Sequence, residues 1–165
     1  MGRFSGRAVS ALALAASGAR VGILCRSPEK GERTLARIRR ETGNDAIELF
    51  RADLSSQTEI RAVAGEILAS FEQIHLLVNN AGMVQVGRDE PSTPIHETSD
   101  EGWHYGIDIN LTSCFLVTRA VLPGMMERNY GRIVQMSSVT GPVVGIHGSA
   151  VYGAAKAGML GMAKS

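Results

Sequence analysis

Residues 20–51 read RVGILCRSPEKGERTLARIRRETGNDAIELFR, and this stretch decides the fold. Arg20–Cys25 is a short apolar run, the mark of a buried strand. Ser27-Pro28 follows, a hydroxyl for a helix cap and a proline for its first turn. A helix is predicted from there to about Glu41. Thr42-Gly43-Asn44-Asp45 has the composition of a turn. Ala46–Arg51 then predicts a second strand. Fully apolar strands alternating with helices imply a parallel sheet covered on both faces.

The alternation continues outward. Residues 7–17 are small and apolar and predict a helix that stops before Gly18. Ser55 or Ser56 caps a helix reaching about Phe71, and Ile74–Asn79 (IHLLVN) is a third strand. Residues 80–98 form a long loop of the kind that often carries function. A long helix is predicted from about Asp100 to Met126, broken near Ile109–Leu111 and distorted at Pro123. Arg132–Met136 (RIVQM) is a fourth strand, Ser138–Ser149 a loop and Val151–Ser165 a last helix. The expected fold is α/β: a doubly wound parallel sheet in three α/β/α layers, one domain over residues 1–165. Ligands in such folds sit beyond the carboxyl ends of the strands.

Composition narrows the function classes. The 165 residues are 44% hydrophobic and 20% charged, with a net charge of +1. That balance gives no reason to expect nucleic acid or an acidic membrane surface as partner. Charge is uneven, however: residues 1–51 hold ten basic and five acidic residues. The apolar run Ala8–Ala16 is too short to span a bilayer. Arginines ahead of it open a leader-peptide reading, but the run continues smoothly into a strand pattern, so a cytoplasmic protein is expected. Cys25 and Cys114 lie 89 residues apart, which is neither a disulfide framework nor a metal-binding spacing, so no metal is expected.

Chemistry is concentrated in the second half. Tyr152-Gly-Ala-Ala-Lys156 places a phenol and an ammonium on one helix face. A neighbouring ammonium favours a phenolate, which brings a phenol within reach of acid–base work on a carbonyl or alcohol oxygen. Taken alone, the same pair is more often a surface tyrosine beside a solvated lysine. Ser138 lies just past a strand, 14 residues before Tyr152, where it would donate to a substrate oxygen. Asn79-Asn80-Ala81-Gly82 follows the third strand, with small residues that let a flat cofactor approach. Asn110 sits inside a helical pattern, where asparagine is unfavourable unless its amide has a task.

Together these residues carry a resemblance. The sequence resembles the short-chain dehydrogenase/reductase family, and within it the members similar to 3-oxoacyl-carrier-protein reductases. The matching marks are Asn79–Gly82 (NNAG), Asn110 within DINLTS, Gly131–Ser138 (GRIVQMSS) and Tyr152–Lys156 (YGAAK). The resemblance implies a hydride transfer between NADP(H) or NAD(H) and a small carbonyl or secondary alcohol. It implies catalytic roles for Ser138, Tyr152, Lys156 and Asn110, with Tyr152 as acid–base and Lys156 on the nicotinamide ribose. It places Asn79, Asn80, Ala81, Gly82 and Asp53 along the cofactor, Asp53 beside the adenine. It also implies a homo-dimer or homo-tetramer built on the long helix and the last helix.

Cofactor choice rests on the end of the strand RVGILC. An acid there usually takes the ribose hydroxyls of NAD. This chain has Cys25 and then Arg26, whose guanidinium suits a ribose 2′-phosphate, so NADP(H) is favoured and NAD(H) remains open.

The pattern also departs from the family. Of the glycine-rich phosphate loop only Gly6 matches, and Phe4 stands where a glycine is expected. The first strand and the strands after the last helix have no counterpart in these residues. The expected sheet is therefore incomplete, and the chain is expected to be a truncated form of low stability. The competing reading is an inactive remnant that serves as a structural or subunit partner.

Overall fold

The computed structural model describes residues 6–82 and 93–165. Four strands alternate with six α-helices in the predicted order. Helix α1 (Gly6–Ala16) leads into β1 (Val21–Cys25), α2 (Pro28–Thr42) and β2 (Ile47–Arg51). Then come α3 (Gln57–Ser70), β3 (Leu76–Asn79), α4 (Asp100–Ile107), α5 (Ser113–Glu127), β4 (Arg132–Gln135) and α6 (Ala150–Met162).

Local chemistry sets the ends of these elements. Ser27 caps α2, its hydroxyl accepting from the Lys30 N–H at 3.3 Å, with Pro28 in the first turn. Gly43 ends α2 in the left-handed conformation, φ 68°, and its N–H bonds to Arg39 O. Ser56, of the two candidates, caps α3. The apolar side of α2 (Leu35, Ile38) closes on Val21, Ile47 and Ala15 in one buried cluster. Asn44 seals the edge of this unit by donating to both Ala15 O and Ala19 O at 2.9 Å.

The predicted break in the long helix is a π-helical turn, Asp108–Thr112, between α4 and α5. Single π turns inside α-helices are frequent at functional sites. The whole run Asp100–Glu127 is long and apolar enough to cross a membrane, with a mean hydropathy of 1.3. In the fold it packs on α3, β3 and α6, with 39% of its apolar stretch buried.

The sheet is incomplete, as expected of a chain in which the first strand has no counterpart. Strands β1 and β2 pair in parallel, Val21 opposite Ile47 through Cys25 opposite Arg51. Strands β3 and β4 also pair in parallel, Leu76 opposite Arg132 through Asn79 opposite Gln135. The two pairs form separate sheets. Strand order supplies the reason: by resemblance β1 and β3 stand as strands two and four of the order 3-2-1-4-5-6, whose shared neighbour is strand one. No described strand occupies that place, so β1 and β3 each keep one edge without a partner among the described residues.

Candidate active site

The carboxyl ends of β3 and β4, the π turn and the start of α6 meet around one buried cation. Lys156 is only 3% exposed. Its Nζ donates to the carbonyl of Met136, just past β4, at 2.8 Å. It also lies 5.6 Å from the centre of the Tyr152 ring, one helical turn back. A buried ammonium is costly unless its donors are satisfied, so Met136 O is a structural requirement of the site. Ser137 supports the same turn by donating to Lys156 O at 2.8 Å.

Asn110 is fully buried inside the π turn. Its Nδ2 donates to Gly106 O at 3.0 Å, the carbonyl-binding task expected of an asparagine within a helix. Its Oδ1 faces the loop after β3. A methyl group placed on Gly82 would stand 2.8 Å from Lys156 Nζ and 3.1 Å from Asn110 Oδ1. Gly82 thus lets the backbone come close to both polar groups, and a larger residue would displace one of them. Asn80, Ala81 and Gly82 run half-buried along this junction.

Asn79 holds the sheet to the helix behind it. It is buried, and its Nδ2 donates to Thr118 Oγ1 on α5 at 3.1 Å. Gln135, its neighbour on β4, reaches the same hydroxyl at 3.4 Å. Thr118 is thus a junction that motif reading did not single out, since nothing in the local sequence marks a threonine within α5.

Ser138 lies half-buried at the start of the loop before α6, and its Oγ accepts from the Thr140 N–H at 3.1 Å. The loop then turns at Gly141, whose φ is +97°. A methyl there would stand 2.1 Å from the carbonyl oxygen of Gly153 in α6. Gly141 therefore presses the Ser138 loop against the first turn of the helix that carries Tyr152. It too went unnoticed in the sequence, where it was one glycine among 19.

The remaining candidates lie at the other strand pair. Asp53, just past β2, accepts from the Ser55 N–H at 2.9 Å and the Ser55 hydroxyl at 2.8 Å. The Ser55 N–H bond above all, with the Ser55 hydroxyl and Arg26, holds its carboxyl below the usual range against the opposing effect of burial. Arg26, just past β1, is half-exposed and its Nη1 lies 3.9 Å from Asp53 Oδ2. Gly6 is the first residue of α1, while Phe4 and the rest of the supposed phosphate loop lie outside the described residues. No cluster of three or more metal-ligating side chains occurs among the described residues. Both cysteines are free thiols.

Comparison with known proteins agrees with this geometry. The family model described as short chain dehydrogenase matches residues 6–165. The chain is 38% identical over 152 residues to nodulation protein G of Rhizobium sp. (strain N33), covering 92% of this chain and 57% of that protein. It is 34% identical over 160 residues to the 3-oxoacyl-acyl-carrier-protein reductase FabG of Escherichia coli (strain K12), covering 97% and 60%. It superimposes with a TM-score of 0.83, at 32% identity, on a metagenomic short-chain oxidoreductase solved in complex with NADP, covering 95% of this chain and 67% of that one. The chain thus spans somewhat under two thirds of the length of these curated relatives. A π turn bearing a buried asparagine, a bare glycine, and a lysine one turn after a tyrosine, matched by a family model from residue 6 to residue 165, make the chain a member of the short-chain dehydrogenase family.

Proposed function

We propose that the chain carries the acid–base half of an NADP(H)-dependent oxidoreductase acting on a carbonyl or secondary alcohol. The observation that carries this reading is the convergence of Gly82 after β3, Asn110 in the π turn, and Tyr152 and Lys156 on α6. The donor set suits the cofactor: Lys156 Nζ, which suits a ribose hydroxyl, lies close to the Gly82 backbone after β3. When bound, NADP(H) supplies or takes up the hydride.

The chain's own residues manage the proton. Tyr152 Oη gives a proton to the carbonyl oxygen in reduction and takes it from the alcohol in oxidation. Lys156 holds a cationic Nζ beside the Tyr152 ring and offers a donor to a ribose hydroxyl. Ser138 Oγ, fixed through Thr140, donates to the substrate oxygen. Asn110 holds the π turn and offers Oδ1 on the lysine side, where a water would pass protons onward. Asn79, Asn80 and Ala81 keep the backbone path open for the cofactor, and Asp53 stands toward its adenine end. Arg26 reaches the 2′-phosphate, exchanging a weak contact with Asp53 for a stronger charge-assisted one.

The experiment is an NADPH titration by fluorescence, with Tyr152→Phe as control. Saturable binding in both proteins, with carbonyl reduction lost only in the variant, is expected. Retained reduction in Tyr152→Phe overturns the role of Tyr152. Absence of saturable binding favours the alternative, an inactive subunit partner. Arg26→Ala should weaken NADPH by roughly 10- to 100-fold and leave NADH unchanged, the usual worth of a hydrogen bond to a charged group.

The working unit is an oligomer in the cytoplasm. Phe115, Leu122 and Met126 form an exposed stripe on α5, and Ala154, Ala157 and Leu160 an exposed strip on α6. Small residues of this kind allow helices to approach closely, and free thiols suit a reducing compartment. Leu122→Glu is expected to shift the species seen by light scattering to monomer.

A further inference from the structure

We propose that Met159 is a positioning residue for Lys156: its thioether sulfur holds the ammonium in place without cancelling the charge. The consequence for cofactor binding rests on the oxidoreductase reading above; the contact itself does not.

The helix brings the two side chains together. Residues three apart on an α-helix are neighbours, and Met159 lies one turn beyond Lys156 on α6. Met159 is fully buried, as many core methionines are. What sets it apart is the atom it presents. Lys156 Nζ stands 3.4 Å from Met159 Sδ, within bonding distance for a sulfur acceptor. The carbonyl of Met136 takes the same ammonium from the β4 side at 2.8 Å. The two acceptors come from different elements, so together they fix Nζ more narrowly than either would alone.

The choice of sulfur has a chemical consequence. A thioether is neutral and only a weak acceptor. It orients an N–H but does not offset the cation, as a carboxylate would. A ribose hydroxyl is a better acceptor and can displace it at little cost. A second sulfur nearby behaves alike. Cys114 is buried and its thiol donates to Asn110 O at 3.3 Å. Burial raises the pKa of that thiol against the pull of Lys156, so it stays uncharged at neutral pH. None of these three groups (the Met136 carbonyl, the Met159 thioether and the Cys114 thiol) cancels the charge that faces the Tyr152 ring, whose centre lies 5.6 Å from Nζ.

The test reads the ammonium directly in the full chain. Lys30, Lys156 and Lys164 are the lysines of this sequence, so heavy-nitrogen labelling of lysine gives three Nζ signals by NMR. Lys30 and Lys164 are exposed and Lys156 is 3% exposed, so the Lys156 ammonium protons should exchange with water far more slowly. Met159→Leu removes the sulfur and nearly keeps the volume, a swap that cores tolerate. It should speed Lys156 exchange by about three- to tenfold, as expected for a weak hydrogen bond to a charged group. Met159→Gln returns an acceptor at similar reach and should restore slow exchange. Norleucine incorporated in place of methionine keeps the side-chain shape and should repeat the leucine result. A role in packing alone predicts the opposite order, with leucine and norleucine slow and glutamine fast, and that order overturns the proposal. So does a Lys156 ammonium that exchanges as fast as Lys30 in the unsubstituted chain.

An NADPH titration on the same samples separates the two readings. Met159→Leu should weaken NADPH by about two- to fivefold, because the ammonium then loses part of its alignment before the cofactor arrives. Equal affinity in variant and unsubstituted chain overturns the positioning role. If NADPH does not saturate the unsubstituted chain, the oxidoreductase reading fails, and the order of the exchange rates still decides the sulfur contact.

Discussion

The two strand pairs of this molecule are held together in different ways. The β1–α2–β2 unit relies on short-range chemistry. It has a serine cap, a glycine stop, an apolar helix side and one aliphatic cluster. Its charges stay at the surface, as in the Arg20–Glu48 pair. The β3–β4–α5–α6 unit instead buries polar groups: Asn79, Asn110, Ser113 and Lys156. Each is satisfied by a partner brought from elsewhere in the chain or from the preceding helical turn, such as Met136 O for Lys156. Buried polar groups raise the cost of any misplacement, and so they specify geometry more sharply than aliphatic contacts do. The first unit is held by aliphatic contacts; the second is held by buried polar ones.

The largest expected effect falls on the second unit alone. Tyr152→Phe should lower carbonyl reduction by roughly 10²–10⁴-fold, the usual contribution of a positioned acid–base group. Amide protection in β1 and β2 should not change. A loss of protection there would mean that the units are more tightly coupled than their separate sheets suggest.

Ile38→Ala tests the converse. It removes a fully buried side chain from the first cluster and should cost about 2–5 kcal/mol there. Because β1 and β3 do not pair, hydrogen exchange should register this loss in α1, α2, β1 and β2 first. A single coincident unfolding of both units would break the comparison. The same measurement on the unsubstituted chain should give a broad, non-coincident melt, since two unpaired strand edges weaken the cooperativity between the units.

Smaller effects sharpen the contrast at the first unit. Ser27→Ala removes the α2 cap and should cost about 1 kcal/mol, seen as a lower urea midpoint with an unchanged slope. Asp53 gives the smallest effect, through pH. Its folded pKa lies below the unfolded value, so its contribution is present above about pH 4. That contribution fades as pH falls through the folded pKa. Asp53→Asn should lower stability slightly at neutral pH, leave it unchanged below the folded pKa and so flatten the stability curve on the acid side. A variant that loses stability equally at all pH values would show that the Ser55 contacts matter by shape and not by charge.

How far the sequence could be read follows from the same contrast. The segment 20–51 was legible almost to the residue, because caps, apolar runs and turns act over a few positions. The break at Ile109–Leu111 was legible too, since an asparagine inside an apolar helix needs a reason. The partners of that asparagine were not, for Gly82 lies 28 residues away and becomes its neighbour only through the fold. Thr118 and Gly141 were missed for the same reason. Each is ordinary in its own segment and acquires its role from a contact with Asn79 or Gly153.

The sequence by itself determined the element order, the parallel pairing, the family and the break in the long helix. These depend on local periodicity and on motifs whose spacing survives without a fold. Tertiary structure alone decided that Lys156 is buried against Met136 O and that Gly82 comes close to both Lys156 and Asn110. Those outcomes depend on which backbone edges and polar groups meet across long stretches of chain. Such meetings are settled by packing and by hydrogen-bond satisfaction in the whole molecule.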